Sequence, residues 1–294
     1  MTVPILNASG CLDASTAPEV SQSLDGFVTK TVTPLPREGN PPTRFVETEH
    51  GMLNSIGLQN PGLEVFLAEH LPRLATLGVP LWVSVGGFSA GDYREMCAAL
   101  DERDEVDVIE LNLSCPNVDE ARETAAEIVA AAREPTTKTL YAKLSPATWD
   151  IADTARAVAA AGAEGLSLVN TIRGLALEST SLRPTIGRGM GGYSGPALRP
   201  IALACVYVCA SAVELPIVGM GGIANGRHAL ELVAAGASAV ALGTILFSDP
   251  FAASRIRLEL TEEAMAHGYE SAASAQGVAL GSAPPARLST VQAT

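Results

Sequence analysis

The sequence predicts a (β/α)8 TIM barrel with insertions at its C-terminal face, and three observations point there. Short β-rich runs alternate with alanine-rich helical stretches, and there are eight such runs. The length of 294 residues suits one barrel. Two segments longer than ordinary connections each follow an expected strand, on the face where barrel enzymes keep their chemistry.

The expected strands are Pro4–Ala8, Gly26–Thr31, Leu81–Val85, Asp107–Asn112, Leu140–Leu144, Gly165–Asn170, Pro216–Gly219 and Ala239–Leu242. Helical patterning covers Ala121–Ala132, Ile151–Ala161, Ala197–Ser211, Gly226–Ala235 and Pro250–Glu263. Strands alternating with helices imply a parallel sheet, and eight units imply closure. A doubly wound open sheet is the competing arrangement. Against it, the first strand runs into Gly10-Cys11-Leu12-Asp13 rather than a GxGxxG turn. The long segments, roughly 32–61 and 171–195, read as site-building insertions and not as a second domain. Residues 1–268 are expected to form a single domain. Residues 269–294, rich in Ala, Ser, Gly and Pro, are expected to be a loosely ordered tail.

Composition narrows the function. A formal charge of −13 repels nucleic-acid phosphates and anionic lipid, so neither is an expected partner. The N-terminus MTVPILNASG has no basic region and no long apolar run, which argues against a signal peptide. No apolar stretch approaches the ~20 residues of a membrane helix. The five cysteines are scattered and form no CxxC pair, so no metal site is expected and a reduced, cytoplasmic protein fits. Cys205 and Cys209 sit at helical spacing in an apolar run and read as core. The four histidines show no metal or triad spacing.

Polar residues collect just after strand ends. Thr29-Lys30-Thr31 ends strand two, Asn112-Leu113-Ser114-Cys115-Pro116-Asn117 follows strand four, Lys143 lies in strand five and Asn170-Thr171 ends strand six. Strand seven leads into Gly219-Met220-Gly221-Gly222 and strand eight into Gly243-Thr244. Loops after strands seven and eight commonly form a phosphate site, where glycines let backbone N–H groups approach. Two strand-end lysines near such a site suit a developing anion, as on a reduced flavin. Cys115 stands among polar and turn-forming residues, where a thiolate can act as base or nucleophile. Asn54, Asn112, Asn117 and Asn170 offer paired donors and acceptors for a small planar ligand such as a pyrimidine.

The strings NASG (7–10), VTKTVTPLPREGNPPTRFVET (28–48), NSIGLQNPG (54–62), ELNLSCPN (110–117), YAKLSP (141–146), VNT (169–171), GGYSGPALRPIA (191–202), IVGMGGI (217–223) and ALGT (241–244) occur in this order. Through them the chain resembles the class 1 dihydroorotate dehydrogenases, up to about Leu260. The wording around TKTVTPLPREGNPPTR and GLQNPG resembles the NAD-linked branch. The resemblance implies FMN-dependent oxidation of dihydroorotate to orotate in pyrimidine biosynthesis. It implies flavin contacts at Ala8, Ser9, Gly10, Lys30, Lys143, Gly192, Gly221, Gly222, Gly243 and Thr244. It places the pyrimidine against Asn54, Asn112, Asn117, Asn170 and Thr171, and the substrate carboxylate edge against Ile56, Gly57 and Leu58. Cys115 matches the base that removes the proton from C5, with the hydride passing from C6 to flavin N5, and Lys30 stands beside the reacting ring. It further implies a homodimer and a separate electron-transfer subunit.

Two departures stand out. Only six residues precede NASG, short of the family's N-terminal hairpin. Val118-Asp119-Glu120 runs almost straight towards the next helix, with a start expected near Asp119, so the family's mobile lid is shortened and a wider mouth is expected. The residues alone also admit an FMN oxidoreductase of a related cyclic amide such as uracil or a dihydropyrimidine, and a flavin-binding homologue without turnover. A phosphate-handling barrel isomerase or aldolase explains the glycine loops but leaves the asparagines without a role.

Overall fold

The computed structural model describes residues 2–14, 18–113, 124–148 and 150–281. Its strands in chain order are β1 (Ile5–Asn7), β2 (Phe27–Val28), β3 (Phe45–Thr48), β4 (Gly51–Asn54), β5 (Leu81–Val85), β6 (Val108–Asn112), β7 (Thr139–Leu144), β8 (Gly165–Leu168), β9 (Ile172–Gly174), β10 (Gly191–Ser194), β11 (Ile217–Met220) and β12 (Ala239–Leu242). Eight of them pair in the order β1-β12-β11-β8-β7-β6-β5-β2, all in parallel. A parallel bridge between Leu6 and Gly26 joins the two ends, so the sheet closes into the expected barrel.

Alternation along each strand sorts the side chains. On one parity, Leu6, Val28, Val218, Met220, Ala239 and Ala241 form the interior cluster with Trp82 and Tyr141. The Trp82 and Tyr141 rings meet at 4.5 Å between centroids. Gly165 makes room for them, since a Cβ there would stand 2.3 Å from the Tyr141 ring. On the other parity, Ile109, Leu111, Leu140, Ala142, Leu166 and Leu168 join the larger cluster against the surrounding helices. Along the inner parity, buried polar groups also occur: Ser84, Glu110, Asn112, Lys143 and Ser167.

Strand two is shorter than expected. Val28 pairs with Trp82, and Val32 next bridges Val85. Four steps on one strand therefore face three on its neighbour, which is a β-bulge, and the strand bends at Thr29–Thr31. Helix starts follow side-chain caps more closely than apolar periodicity. Ser89 and Asp92 form a capping box for the helix Ala90–Asp101. Thr124 and Glu127 do the same for Ala125–Arg133. Thr124 itself is extended, so the helix expected from Ala121, with a start near Asp119, begins later, at Ala125. Residues 114–123, on which the expected short lid falls, lie outside the described residues. Pro196–Leu198 forms a separate turn, so the next helix is Arg199–Ala212. The last barrel helix runs Ala252–Ala266.

The two insertions were not expected to contain strands. They meet in one antiparallel sheet, ordered β3-β4-β10-β9, so segments far apart in sequence form one body above the barrel. Beyond residue 268, the turns Ala272–Ala275 and Val278–Leu280 follow. Ala272 and Ala275 are buried, and Gly277 N–H donates to the Val233 carbonyl at 3.0 Å. Among the described residues no helix is long and apolar enough to cross a membrane.

Close packing of helices around the barrel gives a direct test. A Cβ on Gly226 would stand 2.3 Å from the Glu259 carbonyl carbon and the Leu260 nitrogen, which are backbone and cannot swing aside. Gly226→Ala is therefore expected to cost about 1–3 kcal/mol, the usual scale of overpacking, read as an earlier urea midpoint. An unchanged midpoint would show that the two helices can part without cost.

Candidate active site

The site begins where β1 ends beside the bulge of strand two. Gly10 adopts a positive φ of 76°, and a Cβ there would lie 2.8 Å from Lys30 Cδ and 3.0 Å from Nζ. Lys30 therefore lies directly on the Gly10 backbone, which only glycine permits. Ser9 Oγ donates to the Thr29 carbonyl at 2.8 Å and stands 3.2 Å from Thr31 Oγ1.

From Thr31 a chain of hydrogen bonds crosses the barrel mouth. Thr31 Oγ1 lies 3.0 Å from Ser84 Oγ and accepts from Asn112 Nδ2 at 3.2 Å. Asn112 Oδ1 accepts from Asn170 Nδ2 at 3.1 Å, and Asn170 Oδ1 accepts from the Thr171 N–H at 2.8 Å. Tyr93 pins the backbone beneath this chain by donating its hydroxyl to the Asn112 carbonyl at 2.8 Å. Five barrel elements thus hold two carboxamides in fixed relative orientation.

The insertion sheet closes in from the side. Asn54 Nδ2 donates to the Gly192 carbonyl at 3.2 Å. A Cβ on Gly192 would fall 2.1 Å from Thr171 Oγ1, so β10 lies tightly against the end of β8. Between them and strand two runs Ile56–Gly57–Leu58, with positive φ values of 76° at Gly57 and 56° at Leu58. All three carbonyls of this segment are engaged: Ile56 by Asn40 N–H at 2.9 Å, Gly57 by Arg37 Nε at 3.2 Å, Leu58 by Asn60 Nδ2 at 2.7 Å. Successive turn-forming residues of this kind make concave runs of N–H groups that suit an anion.

Electrostatics set the two lysines apart. Lys143 Nζ stands 3.3 Å from Glu110 Oε1, and both side chains are buried. Lys30 makes no salt bridge among the described residues. Burial pushes its pKa down, the Cys11 thiol opposes that shift, and the Lys143 charge adds to it. Burial pushes the Cys11 thiol up, against the pull of Lys143 and Lys30.

Three loops converge at the far side of the mouth. Gly221 and Gly222 both have positive φ. A Cβ on Gly222 would come within 2.9 Å of Arg199 N and the Gly195 carbonyl oxygen. Thr244 Oγ1 donates to Ser194 Oγ at 2.8 Å, and Gly243 lies open beside Ala8 and Cys11. The helix Gly226–Ala234 starts just beyond, capped by Asn225. His228 Nδ1 accepts from the Ala224 N–H and ties that loop down. Gly192 and Gly222 let these loops pack closely on Thr171, Arg199 and Gly195. With Gly243 they bring backbone N–H groups of three loops together in a cradle of the kind that suits a phosphate-bearing cofactor. Ser167 Oγ is buried with no hydrogen-bond partner, and β8 holds it in register beside Lys143. An orphaned polar atom next to an ammonium group, within reach of that cradle, fits a polar cofactor ring such as flavin.

The structure therefore gathers Ala8, Ser9, Gly10, Lys30, Asn54, Ile56, Gly57, Leu58, Asn112, Lys143, Asn170, Thr171, Gly192, Gly221, Gly222, Gly243 and Thr244 at one end of the barrel. Cys115 and Asn117 lie outside the described residues. Sequence reasoning gave no individual role to Ser84, Glu110, Ser167, Tyr93 or Cys11. A signal existed for three of them: a polar residue at an inward position inside an apolar strand, as in LWVSV, VIELN and GLSL. No group of three or more potential metal ligands occurs among the described residues.

Comparison with known proteins follows this geometry. A family model described as dihydroorotate dehydrogenase matches residues 1–264. A relative from Citrifermentans bemidjiense, named dihydroorotate dehydrogenase B (NAD(+)), catalytic subunit, is 41% identical over 289 residues, covering 94% of each chain. One of the same name from Listeria welshimeri is 42% identical over 269 residues, covering 87% of this chain and 88% of its own. A crystal structure of DHODH from Eimeria tenella in complex with ferulenol superposes with a TM-score of 0.80 at 25% identity, covering 95% of this chain and 86% of that one.

Thr31 is the junction of the hydrogen-bond chain, and Thr31→Val removes its hydroxyl without changing its shape. The buried Asn112 amide and Ser84 hydroxyl then each lose a partner. The expected cost is about 1–3 kcal/mol, read from the denaturation midpoint. A variant as stable as the parent would mean that the carboxamide pair does not depend on this hydroxyl.

Proposed function

Because the chain belongs to the dihydroorotate dehydrogenase family, we propose that it oxidises dihydroorotate to orotate with FMN bound across the barrel mouth. The observation that carries this reading is the Asn112–Asn170 carboxamide pair, held rigidly beside two inward lysines and a glycine cradle. A cyclic diamide presents alternating donors and acceptors at its edge, which paired asparagines complement. In this reading Asn54, Asn112, Asn117, Asn170 and Thr171 hold the pyrimidine. The backbone of Ile56–Gly57–Leu58 receives the carboxylate.

Ala8, Ser9 and Gly10 would line the flavin, and Gly192, Gly221, Gly222, Gly243 and Thr244 would hold its phosphate end. Lys30 and Lys143 would stand where negative charge builds on the reduced ring. Bound FMN supplies the hydride acceptor at N5. The chain's own chemical work is then the proton. Cys115 follows Asn112 by three residues and would take the proton from substrate C5 as a thiolate. Leu113 N–H donates to the Lys143 carbonyl at 3.2 Å, so the last described residue before Cys115 lies beside the site. The relatives' names as NAD-linked catalytic subunits support a separate electron-transfer subunit, and we place this chain as the homodimeric catalytic partner of such a subunit.

Purified protein is expected to be yellow with noncovalent FMN. Gly222→Asp, whose side chain would press on the Arg199 backbone and the Gly195 carbonyl and bring a negative charge to the phosphate loops, is expected to release the cofactor. A colourless protein that cannot be reconstituted with FMN would overturn the assignment.

Cys115→Ala is expected to retain the flavin spectrum while anaerobic bleaching by dihydroorotate slows by ~10²–10⁴-fold, the scale of general base catalysis. Bleaching at the parental rate would remove Cys115 from the mechanism. With neither a cluster motif nor a dinucleotide fingerprint in the sequence, the isolated chain is expected to reduce dyes but not NAD.

A further inference from the structure

The chain carries 19 basic residues, and only three of them, Lys30, Lys138 and Lys143, are lysines. Arginine supplies the rest. Lys138 donates to the Val106 carbonyl at 2.8 Å. The other two stand at the mouth of the barrel, close enough for the Lys143 charge to act on Lys30. Lysine differs from arginine in being a compact point charge that can lose its proton when buried. A sequence that otherwise prefers arginine thus places lysine where charge must be local and adjustable.

The two site lysines are built differently. Lys143 has a carboxylate beneath it: Glu110 Oε1 at 3.3 Å, with side chains 6% and 1% exposed. Glu110 lies on the inner parity of β6, two residues before Asn112, and is fixed by the strand register. The in-register neighbours of Lys143, Asn112 and Ser167, carry no charge. Around Lys30 the titratable neighbours are Cys11 and Lys143, and no carboxylate bonds to it among the described residues. Two ammonium groups in one buried space repel each other, and a carboxylate that reaches only one of them breaks their equivalence.

We propose that Glu110 is a positioning residue, anchoring the Lys143 ammonium from inside the barrel and leaving Lys30 as the untethered lysine of the pair. Lys143 is then held in one place by its ion pair, while Lys30 has no such anchor among the described residues. The downward push of burial and of the Lys143 charge on Lys30 acts in the same direction. The consequence for an anionic reduced ring rests on the flavin reading above. The asymmetry of the lysines does not.

Selective ¹³Cε,¹⁵Nζ-lysine labelling gives only three signals in this chain, assigned with Lys→Met variants. Titrating the full chain with and without FMN, Lys30 is expected to lose its proton at lower pH than Lys143. In Glu110→Gln the Lys143 midpoint is expected to fall by about one pH unit or more, the scale of losing one close opposite charge, with recovery in Glu110→Asp. A purely structural role for Glu110 would leave that midpoint in place. Lys30 titrating at or above Lys143 in the parent, or an unmoved Lys143 midpoint in folded Glu110→Gln, would overturn the proposal. Should Glu110→Gln fail to fold, the order of the two midpoints in the parent decides alone. A chain that shows the expected order yet binds no FMN would retain the anchored lysine and lose the flavin reading.

Discussion

A charged or amide group that faces the inside of a closed barrel must find its partner there, because the Trp82 and Tyr141 rings fill the interior below. This constraint organises the upper half of the molecule. Glu110 meets Lys143, Ser84 meets Thr31, and Asn112 meets both Thr31 and Asn170. Each of these groups would cost free energy alone. Together they form a layer in which the position of any one depends on the strand register of the others. Apolar residues set the diameter of the barrel, and the polar layer sets the spacing of the groups that face a ligand.

The barrel was legible because its strands are short, β-rich and evenly interrupted. What remained illegible depended on tertiary pairing. Nothing local marks Thr29–Thr31 as a bulge, because a bulge is a mismatch between two strands and only one of them is read at a time. The late start of Ala125–Arg133 had a local signal, Thr124 followed by Glu127 three residues on, which apolar periodicity overrode. The sheet β3-β4-β10-β9 joins residues more than a hundred positions apart, and its strands alternate only weakly in burial.

Of the candidate site, the strand-end residues were legible and the inward ones were not. Asn112, Asn170 and Lys30 follow from the rule that barrel chemistry sits at strand ends. Glu110 and Ser167 stand within strands, where a polar residue reads as an interruption unless the barrel is already closed around it. Their parity was visible in the sequence, yet its meaning needed Lys143 on the next strand.

The insertions solve a further electrostatic difficulty. A chain of net charge −13 repels an anionic ligand at long range. Yet the segments that frame the mouth carry Arg37, Arg44, Arg173, Arg183 and Arg188. Three of these also brace the loops. Arg37 holds the Gly57 carbonyl and lies 4.9 Å from the centre of the Phe88 ring. Arg44 donates to the Asn40 and Glu38 carbonyls and to Gln59. Arg188 donates to Asn40 Oδ1 at 3.3 Å. A guanidinium keeps its charge while its fork is used for hydrogen bonds, so the same side chains fix the loop and offset the field at the entrance. Lysine could not do both as well, because one ammonium braces fewer directions. The division of cations at the mouth follows that difference: arginines hold its rim, and two of the three lysines, Lys30 and Lys143, stand at its centre.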